Sequence, residues 1–178
     1  MDVLFHFSED LSITRFTPHV PRTNPAQRAA VWAIDDAHQS LYWFPRDCPR
    51  AAAWPRDERE RARFEAAFGT PAWRVHAIEA AWLPRVRAAV IYRYSLPAAP
   101  FVPWEDASGQ WVSYEPVEPV EVEAIGDLVG LHARSGIELR VVESLWPVVD
   151  RMVCDDWDFS IVRIANAAPR PAGPSGLS

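Results

Sequence analysis

Short strand-like segments between proline-rich loops are the feature that most restricts how this chain can fold. Residues 17–30 and 97–108 each contain several prolines, which cannot donate the backbone hydrogen bonds of a strand ladder. Segments outside these loops, such as 90–96, are short and rich in β-branched and aromatic residues, as strands are. The sequence therefore predicts many short strands joined by irregular loops.

The predicted strands and helices follow one another irregularly. Strands are predicted at residues 3–7, 31–34, 51–54, 73–79, 90–96, 110–114, 117–125, 137–142 and 159–164. Helices are predicted at residues 35–44, 56–68, 127–135 and 144–152, with one helical turn at 11–16. Residues 80–88 stay ambiguous because Pro84 interrupts them. Without a regular strand–helix–strand repeat, this order predicts an α+β fold.

The length of 178 residues and the apolar content of 49% suit one domain with a sizeable core. We expect that domain to cover residues 1–166, with residues 126–166 as a C-terminal α/β extension. Residues 167–178 are rich in proline, glycine, alanine and serine, and we expect a flexible tail there.

Charge and cysteine content narrow the class of protein. A net charge of −6 argues against a protein that coats nucleic acid, since such proteins are usually basic. Cys48 and Cys154 form neither a CxxC pair nor a disulfide framework, so we expect the reducing cytoplasm. No signal peptide and no membrane-spanning apolar segment are recognisable. The histidines lack the spacing of a zinc site, so no metal is expected.

Three segments place polar and aromatic side chains where they can share a pocket. The first, Leu4–Ser8, overlaps the predicted strand 3–7, which carries His6 near its end. The second carries Trp32 on its strand, and Trp43 follows eleven residues later with Tyr42 beside it. Aromatic faces at such positions can stack on a flat ring.

The third segment, Gly109–Val117, begins a strand with Gln110 and follows an acidic loop that contains Glu105 and Asp106. Common nucleotide and hydrolase motifs (GxGxxG, GxxxxGK[ST], HExxH and GxSxG) do not occur in the chain. The chemistry of any site therefore has to come from the three segments themselves.

Together these segments resemble the ADP-ribosyltransferase-like superfamily, and within it the branch of rifampin ADP-ribosyltransferases. The chain also resembles an uncharacterised family of bacterial proteins of similar length. Leu4–Ser8 is similar to the aromatic-His-Gly-Ser/Thr motif of His-Tyr-type transferases, with Phe7 where glycine usually stands. The resemblance implies that His6 holds the nicotinamide-side ribose of NAD and that Phe7 and Ser8 lie beside the nicotinamide.

The other two segments extend this resemblance over residues 3–125. Trp32 and Trp43, with Tyr42, match the spacing of the family's two tyrosines, which sandwich the nicotinamide ring. Gln110 stands where classical members carry a glutamate that anchors the ribose. The rifampin branch is thought to use an aspartate of the preceding loop instead, a role that the resemblance gives to Glu105 or Asp106.

The resemblance thus implies a split, mixed or antiparallel β core with peripheral helices. It also implies a glycosyltransferase-class enzyme that uses NAD as its substrate and needs no metal. Breaking the nicotinamide–ribose bond develops positive charge on the ribose, which a fixed carboxylate or amide dipole stabilises. His6, Gln110 and Asp106 are the predicted catalytic residues. The predicted NAD-binding residues are His6, Phe7, Ser8, Trp32, Tyr42 and Trp43.

Two alternative functions use the same fold. The first is a module that binds a ligand or partner and has lost catalysis, consistent with Gln110 in place of a carboxylate. The second is an enzyme like the RNA 2′-phosphotransferases. The acceptor of ADP-ribose stays open among a small molecule, a nucleic acid and a protein, and no membrane partner is expected.

Each candidate residue also has a plain structural interpretation. His6 is equally placed to be a core histidine, and Trp32 and Trp43 to be core aromatics. Ser8 can cap the end of its strand, and Gln110 can be an ordinary surface residue on an alternating strand. Only the three-dimensional arrangement separates these interpretations from a binding site.

Overall fold

A computed structural model describes residues 2–20, 25–105, 107–155 and 157–171. The strands in it are β1 (Val3–Ser8), β2 (Val31–Ile34), β3 (Arg50–Trp54), β4 (Arg74–Glu79), β5 (Ile91–Pro97), β6 (Val102–Pro103), β7 (Gln110–Ser113), β8 (Glu121–Ile125), β9 (Ile137–Val142) and β10 (Asp158–Val162). The α-helices are α1 (Arg61–Phe68), α2 (Leu83–Ala88), α3 (Leu128–Arg134) and α4 (Trp146–Cys154). Short 3-10 helices lie at Gln39–Tyr42, Glu58–Glu60, Ala80–Trp82 and Ile164–Asn166. The prediction of an α+β fold with mixed and antiparallel sheets is confirmed.

The chain divides into two compact units. The first unit comprises the residues up to Arg46 together with Val90–Gly126. It contains an antiparallel sheet in the order β6-β7-β2-β1-β5-β8. One face of this sheet covers an apolar core formed by Leu4, Phe16, Val31, Ala33, Tyr94, Leu96, Phe101 and Val117. Because successive side chains of a strand point to opposite faces, alternate residues of β1 and β2 are left for the other face.

The second unit comprises Asp47–Ala89 and the residues from Asp127 onward. Its sheet has the order β10-β3-β4-β9, with β4 and β9 parallel and the other pairs antiparallel. The core contains side chains from β3, β4, α1 and α4, among them Phe64, Val75 and Met152. The buried Glu79 accepts hydrogen bonds from the backbone N–H groups of Leu145 (3.3 Å) and Ala168 (2.9 Å). This carboxylate ties later parts of the chain to the end of β4.

Most predicted elements lie within a few residues of the observed ones, and three predictions are wrong. The helix predicted over 35–44 is only the 3-10 helix Gln39–Tyr42. The carboxylate of Asp35 accepts the backbone N–H of His38 at 2.9 Å, and such local side-chain bonds compete with α-helical pairing. The bonds that follow, such as Leu41 N–H to the His38 carbonyl, have the shorter 3-10 spacing.

The other two errors concern segments that meet each other. The helical turn predicted at 11–16 is absent, because Phe16 and Val117 exchange backbone hydrogen bonds of 2.8 and 2.9 Å in extended conformation. The half-buried strand predicted over 117–125 is shortened to β8, which is exposed along most of its length. Pro119 lacks the N–H that would continue a ladder, which separates the buried Val117 from β8.

No helix among the described residues is long and apolar enough to cross a membrane. The predicted flexible tail at 167–178 lies outside the described residues from position 172 onward.

A buried histidine pair links β4 to α3 in the second unit. Nδ1–H of His132 donates to the Leu128 carbonyl (2.7 Å), so its Nε2 is left as an acceptor for Nδ1–H of His76 (3.0 Å). Burial lowers the pKa of both imidazoles, and the neighbouring His132 and Arg74 lower that of His76 further. Both rings are therefore neutral in the folded protein near pH 7.

We expect the folded protein to lose stability as the pH falls below the usual histidine pKa of about 6.5. Unfolded histidines bind protons there, whereas the buried pair does not, so protonation favours the unfolded chain. Between pH 7.5 and 5.5 the free energy of unfolding of the second unit should fall by about 1–3 kcal/mol. Urea unfolding at several pH values measures it. Equal stability at both pH values would contradict the assignment.

Candidate functional site

A cavity of about 70 Å³ opens between β1 and β2 of the first unit. Its walls are mainly apolar and aromatic, with one imidazole and one amide. The lining residues are Phe5, His6, Phe7, Trp32, Ala33, Ile34, Tyr42 and Gln110. Its volume is well below the roughly 300–1,000 Å³ of sites that hold drug-sized ligands, so the cavity itself has room only for a small part of a larger ligand.

The cavity exists because β1 and β2 stop pairing where it begins. Along its whole length β1 is in register with β5, but with β2 it shares only the pair Phe5 and Ile34. Beyond that pair, the imidazole of His6 bridges the two strands, with Nδ1 at 2.8 Å from the Trp32 carbonyl oxygen. A side chain thus occupies the place of a backbone ladder bond.

This bond determines the chemistry that His6 can offer. A carbonyl oxygen only accepts hydrogen bonds, so Nδ1 carries the proton. Burial lowers the pKa of His6, an effect opposed by the Trp32 carbonyl and assisted by the positive charge of Arg46. In the neutral ring Nε2 carries a lone pair. Nε2 of His6 can therefore accept a hydrogen bond, while the ring packs against Phe16 of the apolar core (4.6 Å between ring centroids).

Register places the aromatic walls on one face of the sheet, opposite the apolar core. Phe5 lies beside Ile34, and Ile34 lies beside Gln110 on β7. Phe7 and Trp32 share this face because they are two residues away from the Phe5 and Ile34 pair. The Trp32 ring contacts Trp104 edge-on (5.2 Å between ring centroids), and its buried Nε1 has no hydrogen-bond partner among the residues that the structure describes.

The rings of Phe7 and Tyr42, which both line the cavity, are nearly parallel. Their planes differ by 7° and their centroids are 6.4 Å apart. Phe7 belongs to β1, whereas Tyr42 ends the 3-10 helix Gln39–Tyr42. Two elements far apart in the sequence therefore present a pair of matched aromatic faces.

A compact turn holds that 3-10 helix beside the cavity. Asp35 follows β2 directly, and its N–H donates to the Gly109 carbonyl at 2.9 Å. The Asp35 carboxylate also accepts Nδ1–H of His38 at 2.8 Å. Gly109 has φ of +74°, and a Cβ atom there would overlap the His38 imidazole. Glycine is thus required at position 109 by backbone conformation and by the packed imidazole.

Residues 5–167 match a family of unknown function, DUF6886. The chain belongs to this family. The match begins within β1 and extends through the last described strand of the second unit. It therefore includes residues 126–166, which the sequence resemblance leaves out. No curated protein and no solved structure matches the chain.

In this DUF6886 protein, five of the residues predicted from sequence line one cavity: His6, Phe7, Trp32, Tyr42 and Gln110. They come from all three of the segments that the resemblance relates to NAD. As predicted, Gln110 begins a strand, and it enters the cavity from β7.

Two other predicted residues, Ser8 and Trp43, do not line the cavity of the DUF6886 protein. The hydroxyl of Ser8 accepts the backbone N–H of Asp10 at 3.1 Å, as a strand-end cap does. Trp43 is buried, with 8% of its surface exposed, and Tyr42 beside it lines the cavity instead. Asp106 lies outside the described residues, while Glu105 is exposed.

Sequence reasoning missed two features of the site. Phe5 and Ile34 line the cavity, and the alternation of β1 from Phe5 to Phe7 was the signal that indicated a shared face. The sequence signal for the packing of His38 against Gly109 is weaker. It is only that a glycine stands directly before a predicted strand. Such a glycine indicates a special backbone conformation but not the partner that needs it.

We expect Gly109→Ala to destabilise the first unit by about 3 kcal/mol or more, since it combines a left-handed backbone with a clash. Gly69 provides a matched control, because it also has positive φ (+65°) but no described atom within 4 Å of the place where a Cβ would lie. Gly69→Ala should cost only about 1–2 kcal/mol. Urea unfolding measures both. Equal losses in the two variants would show that the His38 ring yields without cost.

Proposed function

We propose that this DUF6886 protein is an ADP-ribosyltransferase-like enzyme that uses NAD and transfers ADP-ribose to an acceptor. One observation carries the proposal. His6, Trp32, Tyr42 and Gln110 come from three separate segments that resemble the NAD-binding motifs of that superfamily, and all four line the same cavity. The acceptor belongs to one of three classes, a small molecule, a nucleic acid or a protein.

The residues of the cavity suit the parts of NAD that react. A nicotinamide ring is flat and apolar on its faces, and aromatic walls exclude water around it. The Nε2 lone pair of His6 can accept a ribose hydroxyl proton in a hydrogen bond, because Nδ1–H is engaged by Trp32. The amide oxygen of Gln110 supplies a negative dipole end beside a sugar that becomes positive during the reaction.

In the proposed reaction, the bond between the ribose carbon and the nicotinamide nitrogen breaks. Its electron pair stays on the nitrogen, which neutralises the positive ring. A nucleophilic atom of the acceptor forms a new bond to the ribose carbon and releases its proton to solvent. His6 and the aromatic walls hold the sugar and the ring in the orientation that this displacement needs.

A catalytically inactive binding module is the second candidate function. One observation favours it, since none of the described residues that line the cavity carries a carboxylate. An amide dipole stabilises developing positive charge less than a full negative charge does. A module of this kind would bind NAD, or a ligand with a similar ring, without breaking it.

We further propose that the protein works in a reducing compartment such as the cytoplasm. Cys48 and Cys154 are both free thiols, and free cysteines are usual where disulfides do not persist. Fractionation of host cells tests this placement.

We expect NAD to quench the tryptophan fluorescence of the protein, because Trp32 lines the cavity. His6→Ala removes the ribose contact and the bridge to Trp32, and should weaken NAD binding by about tenfold or more. The exposed His19 supplies the control, since His19→Ala should bind NAD like the wild type. Absence of binding at millimolar NAD in the wild type would refute the proposed function.

Release of nicotinamide from NAD separates the enzyme from the binding module. We expect the wild type to release nicotinamide slowly with water as acceptor, and Gln110→Ala to lower that rate about tenfold by removing a dipole. Gln110→Glu should raise the rate, because a carboxylate stabilises the positive sugar better. Chromatography of the products measures all three. Tight NAD binding without release in any variant would favour the binding module.

A further inference from the structure

We propose that the second unit pairs with a second copy of this chain through the edge strand β10, so that two four-stranded sheets join across a twofold axis at Ser160. The inference concerns a surface of the second unit and does not depend on the proposed function. Antiparallel pairing of an edge strand with its own copy is a twofold contact, in which both subunits use the same residues.

Strand β10 is regular and has one side available for pairing. It is in antiparallel register with β3 over all five of its residues, from Asp158 to Val162. No other strand among the described residues pairs with it. Alternate N–H and C=O groups of β10 therefore point away from β3, and such a row of groups can bind another extended chain.

The other edge strands that the structure describes have features that hinder such pairing. Strand β6 has only two residues, one of them a proline, which lacks the N–H group. Strand β8 carries the exposed Glu121 and Glu123. Strand β9 carries the ion pair of Glu138 with Arg140 (2.6 Å) and packs against α3. Short length, proline, charge and a covering helix are common ways in which proteins block a sheet edge.

The central part of β10 lacks these features. Residues 159–162, with the sequence Phe-Ser-Ile-Val, include neither a proline nor a charged side chain. The side chain of Phe159 lies on this strand, and 43% of the residue's surface is exposed. An uncharged edge strand with an exposed aromatic residue is a surface that readily pairs with another strand.

The order of apolar residues makes β10 complementary to itself. Paired residues of antiparallel strands run in opposite directions, so an axis at Ser160 sets Phe159 opposite Ile161 of the second copy. By symmetry, the same pair forms twice. Pairs of an aromatic with a β-branched residue are among those that stabilise antiparallel sheets. The exposed ring of Phe159 therefore gains an apolar neighbour in each subunit.

The charges at the two ends of β10 are complementary as well. Asp158 begins the strand, and Arg163 follows its last residue, Val162. In the same register Asp158 lies opposite Val162 of the second copy, one position from Arg163. An acidic residue thus approaches a basic one at each end of the paired strands, and the strands bring no like charges opposite each other.

Sedimentation velocity from micromolar to millimolar concentration tests the dimer in the intact protein. A pair of five-residue strands by itself buries less than the roughly 1,200–2,000 Å² of a standard interface, so we expect a reversible dimer of micromolar affinity. Phe159→Lys places a charge opposite Ile161 of the second copy and should weaken dimerisation about tenfold or more. Val141→Lys is the matched control, because Val141 is 42% exposed on β9 of the same sheet, and it should dimerise like the wild type.

A cysteine on the axis tests the register directly. Residues that face each other across antiparallel strands have Cα atoms about 4.5–5.5 Å apart, within the range of about 4.4–6.8 Å found in disulfides. With the exposed Cys154 replaced by serine, Ser160→Cys should form a linked dimer under mild oxidation. Burial raises the pKa of the remaining Cys48 thiol to about 12, which keeps it unreactive. Ser135→Cys is the control, because Ser135 is more exposed than Ser160 but belongs to no strand.

A wild type that stays monomeric at millimolar concentration would overturn the proposal, as would equal cross-linking of the two cysteine variants. A dimer that Phe159→Lys weakens no more than Val141→Lys does would place the contact elsewhere and also overturn it. Circular dichroism verifies that the lysine variants fold, and the cross-linking of Ser160→Cys decides if Phe159→Lys does not. NAD binding should be the same in Phe159→Lys as in the wild type, so failure of the dimer is distinguishable from failure of the proposed function.

Discussion

The hydrogen bond from His6 Nδ1 to the Trp32 carbonyl is the interaction on which the cavity depends. Where β1 and β2 separate, the Trp32 carbonyl would lose its ladder partner, and an unsatisfied polar group costs about 1–3 kcal/mol when buried. The imidazole satisfies that carbonyl and keeps the two strands apart. One contact therefore maintains an opening within a continuous sheet and fixes the tautomer of a histidine that lines the cavity.

Side chains alternate along β1, so the strand contributes residues both to the apolar core of the first unit and to the cavity. Leu4 packs in the apolar core and anchors the sheet, whereas Phe5 and Phe7 line the cavity. Contacts at the border hold the walls in place, with Arg93 connecting β5 to the 3-10 helix and Gly109 accommodating the His38 ring. The second unit has a different character, since its buried polar groups, such as Glu79, serve to hold its own chain together.

The local sequence was sufficient to predict strands and helices where the pattern of buried residues and the intrinsic propensity agree. The strand around Tyr94 was predicted from its β-branched and aromatic residues, and β9 was predicted with its observed bounds. It was insufficient where a side chain competes with the backbone, as Asp35 does in the segment predicted to be helical. The prediction from local sequence also failed where a segment distant in sequence determines the pairing. Val117 pairs with Phe16 rather than continuing into β8.

The sequence by itself determined the α+β class, the positions of most elements and the aromatic and polar residue types that line the cavity. Tertiary structure alone decided which of them meet. It brought Tyr42 rather than Trp43 to the cavity, and it set Phe7 parallel to Tyr42. The physical reason is strand register: a shift of one residue between β1 and its neighbours would exchange the two faces. That register is set by pairing between distant segments, so no local pattern encodes it.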